Sequence, residues 1–389
     1  VTWNIPLTEL EYGPEEEAAV LEVLRSRWLT MGDRTARFER EFAEFVGSEF
    51  AVAVSNCTVG LHAILVALGI GPGDEVIVPD LTFVASLNAV RYTGATAVLA
   101  DVTSENDLTI SVRDVEAKIT PRTRAVMIMH YGGHPCDMDG IRDLAQRHGL
   151  LVVEDAAHAP GAQHRGVMAG HLGDAAAFSF FSNKNLATGE GGMVTTDRED
   201  VAKAIRLLRS HGMTHQTMDR HRGHAYSYDV VCLGYNYRLT EIEAVLGSVQ
   251  LAVLPERNAS RRRLVQRYRE LLAGVDGVRA PFSGYGDPSL WGYSATSSHH
   301  LMVILLPDGE TRARAMEGLK QRGIQTSIHY PPIHGFTNVR EDIAAGRVRA
   351  DGLDVIDRLA PRLLTLPLSA GFHLDVADTV VSALADALS

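Results

Sequence analysis

Lys184 and Asp155 are the residues whose types and surroundings point most directly to chemistry. The apolar run Leu151-Val152-Val153 predicts a buried strand, which ends in Glu154-Asp155 and continues as Ala156-Ala157-His158. Acidic and imidazole groups at the carboxyl end of a parallel strand sit where open α/β sheets bind ligands. Downstream, Ala175 to Phe180 predicts another strand, leading into Ser182-Asn183-Lys184-Asn185 and the turn Gly189-Glu190-Gly191-Gly192. A single loop lysine is ordinarily a solvated one; its partners here point instead to pyridoxal-phosphate (PLP) chemistry. That chemistry needs a lysine for the aldehyde and a carboxylate that keeps the pyridine nitrogen protonated. It also needs a flat group over the ring, and amides and hydroxyls around the phosphate. Lys184 and Asp155 meet the first two needs. A helix opening at Ser55-Asn56-Cys57-Thr58, directly after a strand, offers free amides and the Thr58 hydroxyl. Phe83 opens the next helix and can stack on the ring, and Ser179 adds a hydroxyl for the phosphate.

Alternating elements must position these groups. Apolar runs predict strands at 51–54, 75–78, 97–99, 125–129, 151–153 and 193–195, with helices at 61–68, 85–92 and 141–148. Gly13-Pro14 and Glu15 to Glu17 mark the start of a first helix, and a second runs over 36–46. Continuous apolar strands between amphipathic helices imply a mostly parallel sheet covered on both faces. Gly69-Ile70-Gly71-Pro72-Gly73 resembles a dinucleotide loop, but it follows a helix and precedes a strand, the reverse of the required order. It is a connecting turn. Beyond it, helices are predicted at 240–254 and 256–272, either side of Pro255, and a loop-rich stretch at 281–298. Strands at 300–306 and 324–328 and helices at 311–322 and 376–388 then predict a smaller α/β unit. The division is expected as 1–250 and 251–389, with residues 1–30 able to pack on the smaller part.

These stretches together resemble the DegT/DnrJ/EryC1/StrS family of sugar aminotransferases. The resemblance runs through Gly69 to Pro79, Tyr131-Gly132 to Met138, Glu154 to His158, Phe178-Ser179-Phe180 with Lys184-Asn185, Gly191-Gly192, Gly234-Tyr235-Asn236-Tyr237-Arg238 and His329-Tyr330-Pro331-Pro332. It implies the fold-type I PLP architecture, α/β with a mostly parallel seven-stranded sheet covered by helices and a smaller C-terminal α/β domain. It implies Lys184 as the Schiff-base lysine, Asp155 at the pyridine nitrogen, and His158 against the ring or its 3-hydroxyl. Phe83 would stack on the ring; Cys57, Thr58 and Ser179 would hold the phosphate. Cys57 stands where relatives usually carry Gly, so only its backbone amide is assigned. Asn236 would reach the phosphate across a homodimer interface, making each active site shared. Residues 211–230 would approach the substrate, with Arg220, Arg222 and His224 as diphosphate contacts and His329 and Tyr330 at the substrate entrance. The implied reaction is ping-pong transfer from glutamate, through pyridoxamine phosphate, to a nucleotide-diphosphate sugar. The expected substrate is a dTDP-4-keto-6-deoxyhexose aminated at C4, with a 3-keto sugar or cyclitol ketone as rivals. Dehydratase relatives lack the lysine, and a non-catalytic regulator on the same fold should have lost Lys184 or Asp155; both are present.

Composition bounds the remainder. A net charge of −11 and a pI near 5.8 argue against a general nucleic-acid binder. The three cysteines form no paired framework, which fits a reducing cytoplasm. No signal peptide is expected, and no apolar run approaches the roughly 20 residues needed to span a bilayer. His211 with His215, and His221 with His224, have helical spacing, but glycines intervene and no metal site is expected.

Overall fold

The computed structural model describes residues 3–214 and 227–389. The strands are β1 (Phe50–Val54), β2 (Glu75–Pro79), β3 (Thr96–Ala100), β4 (Thr123–Met129), β5 (Leu151–Asp155), β6 (Gln163–His164), β7 (Val167–Met168), β8 (Ala175–Ser179), β9 (Gly192–Thr196), β10 (Ala295–Thr296), β11 (Met302–Leu305), β12 (Val348–Arg349) and β13 (Leu363–Leu366). Eight of them form one sheet in the order β1-β9-β8-β5-β4-β2-β3-β12. All neighbours pair in parallel except β9, which runs against both β1 and β8. Seven five- to seven-residue strands make the expected sheet, and the two-residue β12 extends its edge.

The main helices are α1 (Pro14–Ser26), α2 (Asp33–Val46), α3 (Cys57–Ala67), α4 (Val84–Tyr92), α5 (Val112–Lys118), α6 (Met138–His148), α7 (Glu199–Leu208), α8 (Glu241–Leu272), α9 (Gly309–Gln321) and α10 (Asp375–Leu388). Helix α2 places Phe38, Phe42 and Val46 four residues apart, and all three are buried on one side of the sheet. Helix α3 lies on the other side and is apolar along most of its length. It seats closely because Gly60 faces the sheet: a Cβ there would stand 3.2 Å from the side chains of Ala177 and Val194. The small residues of β8, Ala175 to Ala177, leave room for it. Among the described residues, no helix is long and apolar enough to cross a membrane.

Two elements differ from the sequence expectation. Helix α8 runs unbroken through Pro255. Proline removes one N–H from the ladder, but packing on both sides outweighs that loss. Ala244, Leu251 and Leu254 sit in the core with Phe38 and Phe42, whereas Leu264, Val265, Tyr268 and Leu272 sit in a separate core under the β11–β13 ribbon. The strand expected at 324–328 forms only isolated bridges, Ile324 with Ile5 and Ser327 with Thr365. Its two ends pair with different segments, so no ladder extends. Residues near the N-terminus thereby join the C-terminal part, with Leu368 N donating to the Leu7 carbonyl and Leu7 N to Gln325 Oε1.

Candidate active site

The carboxyl ends of β1, β2, β5 and β8 converge on a cavity of about 770 Å³. Its wall includes Cys57, Thr58, Phe83, Asp155, His158, Ser179, Lys184, His329 and Tyr330, nine residues singled out from the sequence.

Side chains alternate along β5, and this separates its two terminal acids. Glu154 accepts from Gly170 N, Leu172 N and Gly173 N at 2.7–2.8 Å and pairs with His130 Nε2 at 2.9 Å. It is a structural anchor. Asp155 faces the cavity. Its Oδ2 accepts from Ser86 Oγ at 2.7 Å, its Oδ1 from Ala157 N at 3.2 Å, and the Cys57 thiol lies 3.9 Å from Oδ1. Burial pushes its carboxyl above the ordinary value, opposed by the Ser86 and Ala157 bonds and the charge of Lys184. Among the described residues it has no cation within ion-pair distance. A buried acid in that state is either neutral or needs a cation, and a cationic group of a ligand in the cavity can supply one.

Lys184 follows β8 in a tight turn, its amide donating to the Phe181 carbonyl at 2.9 Å. Burial brings its ammonium down to about 8, while Asp155 acts in the opposite direction. An amine so placed is a usable nucleophile near neutrality. Helix α3 begins at the same cavity. Asn56 caps it by accepting from Val59 N at 3.0 Å, which leaves the amides of Cys57 and Thr58 without helical acceptors. Gly192 passes directly beneath that turn; a Cβ there would meet the Asn56 carbonyl carbon at 2.5 Å and Cys57 N at 2.8 Å. The Cys57 thiol points inward, 3.5 Å from the Ala177 carbonyl oxygen.

His158 is held as one tautomer. Gly132 N donates to its Nδ1 at 3.3 Å, so the proton sits on Nε2 and is donated to Tyr330 Oη at 3.0 Å. Burial holds its imidazole well below the ordinary value, which keeps the ring neutral. His329 Nδ1 lies 3.0 Å from Thr365 Oγ1, and burial lowers its value to about 4. Phe83 is 54% exposed, with its ring 5.7 Å from that of Tyr330.

Asn236 is exposed and does not line the cavity of its own chain. Arg220, Arg222 and His224 lie outside the described residues, as do His215 and His221. Sequence reasoning passed over Asn183, Phe181, Tyr237, Tyr92, Met129 and Glu190, all in the cavity wall. Asn183 and Phe181 flank the lysine turn and were readable as neighbours. Tyr237 was not: its place depends on the remote contact of its hydroxyl with His62 Nδ1 at 3.0 Å.

One cavity thus holds a buried carboxyl group with no ion-pair partner among the described residues, free helix amides and an amine of lowered basicity. These fit the ring nitrogen, phosphate and aldehyde of PLP. Comparison with known proteins agrees. A profile of the DegT/DnrJ/EryC1/StrS aminotransferase family matches residues 11–385. The chain is 41% identical to the spore coat polysaccharide biosynthesis protein SpsC of Bacillus subtilis, over 99% of this chain and 96% of that one. DesV of S. venezuelae superposes with a TM-score of 0.87 at 37% identity, covering 99% of this chain and 98% of that one. Spr1654 of Streptococcus pneumoniae, known in PLP and PMP forms, reaches 0.90 in its apo form at 26% identity, covering 99% and 98%. The chain belongs to the DegT/DnrJ/EryC1/StrS aminotransferase family and is a PLP-dependent sugar aminotransferase.

Proposed function

We propose that the enzyme moves an amino group from glutamate to a nucleotide-linked keto-deoxysugar, with a dTDP-4-keto-6-deoxyhexose aminated at C4 as its substrate. The observation that carries the reading is that Lys184 and Asp155 share one cavity. When bound, PLP supplies an aldehyde for the amine and a ring that withdraws electrons from the reacting carbon. Lys184 Nζ would hold the cofactor at rest and, when free, would carry a proton from the donor's reacting carbon to the cofactor carbon beside it in the first half of the cycle, and in the reverse direction to the sugar carbon in the second. The Asp155 carboxylate accepts the ring N–H as a charge pair. The amides of Cys57 and Thr58, with the Thr58 and Ser179 hydroxyls, hold the phosphate. Phe83 covers one ring face. His158 stands against the ring or its 3-hydroxyl, oriented by Gly132 and Tyr330. His329 and Tyr330 face the sugar, and the family resemblance assigns contacts with its diphosphate to Arg220, Arg222 and His224, which lie outside the described residues. The name of SpsC, a polysaccharide biosynthesis protein, supports a saccharide substrate.

The working unit in this reading is a homodimer in which Asn236 reaches the partner's phosphate site. Exposed apolar residues support it: Phe83, Tyr92 and Phe181 at the cavity, and Val230, Val231 and Leu233 beside Asn236. The separate core under β11–β13 supports a division of the chain near residue 250. Three unpaired cysteines support a reducing cytoplasm.

The test is incubation with PLP, glutamate and a panel of 3- and 4-keto nucleotide sugars, with NMR identification of the product. A 3-amino product overturns the C4 assignment, and amination of a cyclitol ketone alone overturns the nucleotide-sugar assignment. Lys184→Arg should abolish turnover and Asp155→Asn should remove most of it, both in folded protein. Normal transaminase rates in Lys184→Arg would refute the lysine's role.

A further inference from the structure

The turn that opens α4 does more than carry Phe83. Ser86, fully buried, donates its hydroxyl to Asp155 Oδ2 at 2.7 Å. The equally buried Thr82 hydroxyl lies 2.8 Å from Ser86 Oγ. A serine has one hydroxyl hydrogen, and Ser86 spends it on the carboxylate; the Thr82 hydroxyl must therefore donate to Ser86. The two form a chain of donors running one way, Thr82 to Ser86 to Asp155, ending on the acid. We propose that Ser86, backed by Thr82, is the positioning residue that holds Asp155 ionised and aimed at the cofactor's ring nitrogen. The inference rests on Asp155 being the partner of that nitrogen.

The contacts of Asp155 single out Ser86. Its other oxygen receives a longer bond from Ala157 N and a distant thiol from Cys57. Lys184 and His130 act on it through charge alone. Burial by itself favours the neutral acid, which cannot form a charge pair with a protonated ring nitrogen. A short hydrogen bond to a carboxylate is among the stronger ones, and a second donor behind it strengthens it further in a buried site.

The experiment compares two ligands that cannot condense with Lys184, pyridoxamine phosphate and its analogue with carbon in place of the ring nitrogen. Their dissociation constants are measured on cofactor-free wild type, Ser86→Ala, Ser86→Thr, Thr82→Val and Asp155→Asn by equilibrium dialysis. Ser86→Ala should weaken pyridoxamine phosphate about tenfold and leave the carbon analogue nearly unchanged. Thr82→Val should show a smaller loss with the same selectivity, and Ser86→Thr should restore binding. If Asp155→Asn discriminates between the ligands and Ser86→Ala does not, the proposal is overturned while the role of Asp155 stands. If Asp155→Asn itself fails to discriminate, the reading of Asp155 falls and the proposal with it. Should Ser86→Ala not fold, the near-isosteric Thr82→Val decides alone: selective loss supports the chain, and unselective or absent loss overturns it.

Discussion

The lowered basicity of Lys184 can be measured without cofactor. Burial takes its ammonium from 10.5 to about 8. At pH 7 an amine titrating near 8 is roughly 10% unprotonated and one titrating near 10.5 roughly 0.03%, a difference of about 300-fold in reactive form. The chain has only four lysines, Lys118, Lys184, Lys203 and Lys320, so each is resolved as its own peptide. Lys118 is buried against Asp114, and Lys203 is 65% exposed and serves as an internal reference. Cofactor-free protein is pulsed with trace acetic anhydride from about pH 6 to about pH 10, and acetylation is read by peptide mass spectrometry. The Lys184 rate should rise with a midpoint near 8. Asp155 favours the charged lysine, so Asp155→Asn should move that midpoint lower still. A midpoint at the ordinary lysine value, or a rise in Asp155→Asn, would refute the reasoning that burial governs this amine.

Further outcomes follow from packing and charge. Gly192→Ala drives a methyl into the Asn56–Cys57 backbone, so it should lower both melting temperature and PLP affinity, whereas Gly335→Ala, with open space at its Cβ and no left-handed backbone, should change neither; thermal melts and cofactor titration check this. Phe42→Ala removes a fully buried ring 4.9 Å from Phe178 and 5.5 Å from Phe180, and should destabilise by about 3–5 kcal/mol in urea unfolding. The imidazole of His334 bonds Asp80 Oδ2 at 2.7 Å, which raises its value above 6.5. Its contribution is therefore complete below pH 6.5 and lost as pH rises through the raised folded value. Hydrogen exchange over residues 329–336 should quicken across that rise beyond the intrinsic rate, and His334→Gln should abolish the change.

Much of the site was legible because strand ends and helix starts are local events. Asp155 follows an apolar run, Thr58 opens a helix directly after a strand, and Lys184 lies in the turn after Phe180. What was not legible depends on chain segments far apart. Ser86 reads as one small residue in a helix, and only the seating of α4 against α3 and the neighbouring strands brings it to Asp155, 69 residues away. Tyr237 gains its place through His62, 175 residues distant. Pro255 reads as a break, yet α8 continues because each half is buried in a different core.

The sequence by itself determined the alternation of strands and helices that builds the main sheet, the family and the two residues proposed to carry the chemistry, since periodicity and motif spacing are properties of neighbouring residues. The tertiary structure alone decided which of two adjacent acids faces the cavity that Lys184 also lines and which is spent on three backbone amides, which nitrogen of His158 carries its proton, and the direction in which burial shifts each charge. Those properties come from desolvation and from hydrogen-bond partners distant along the chain.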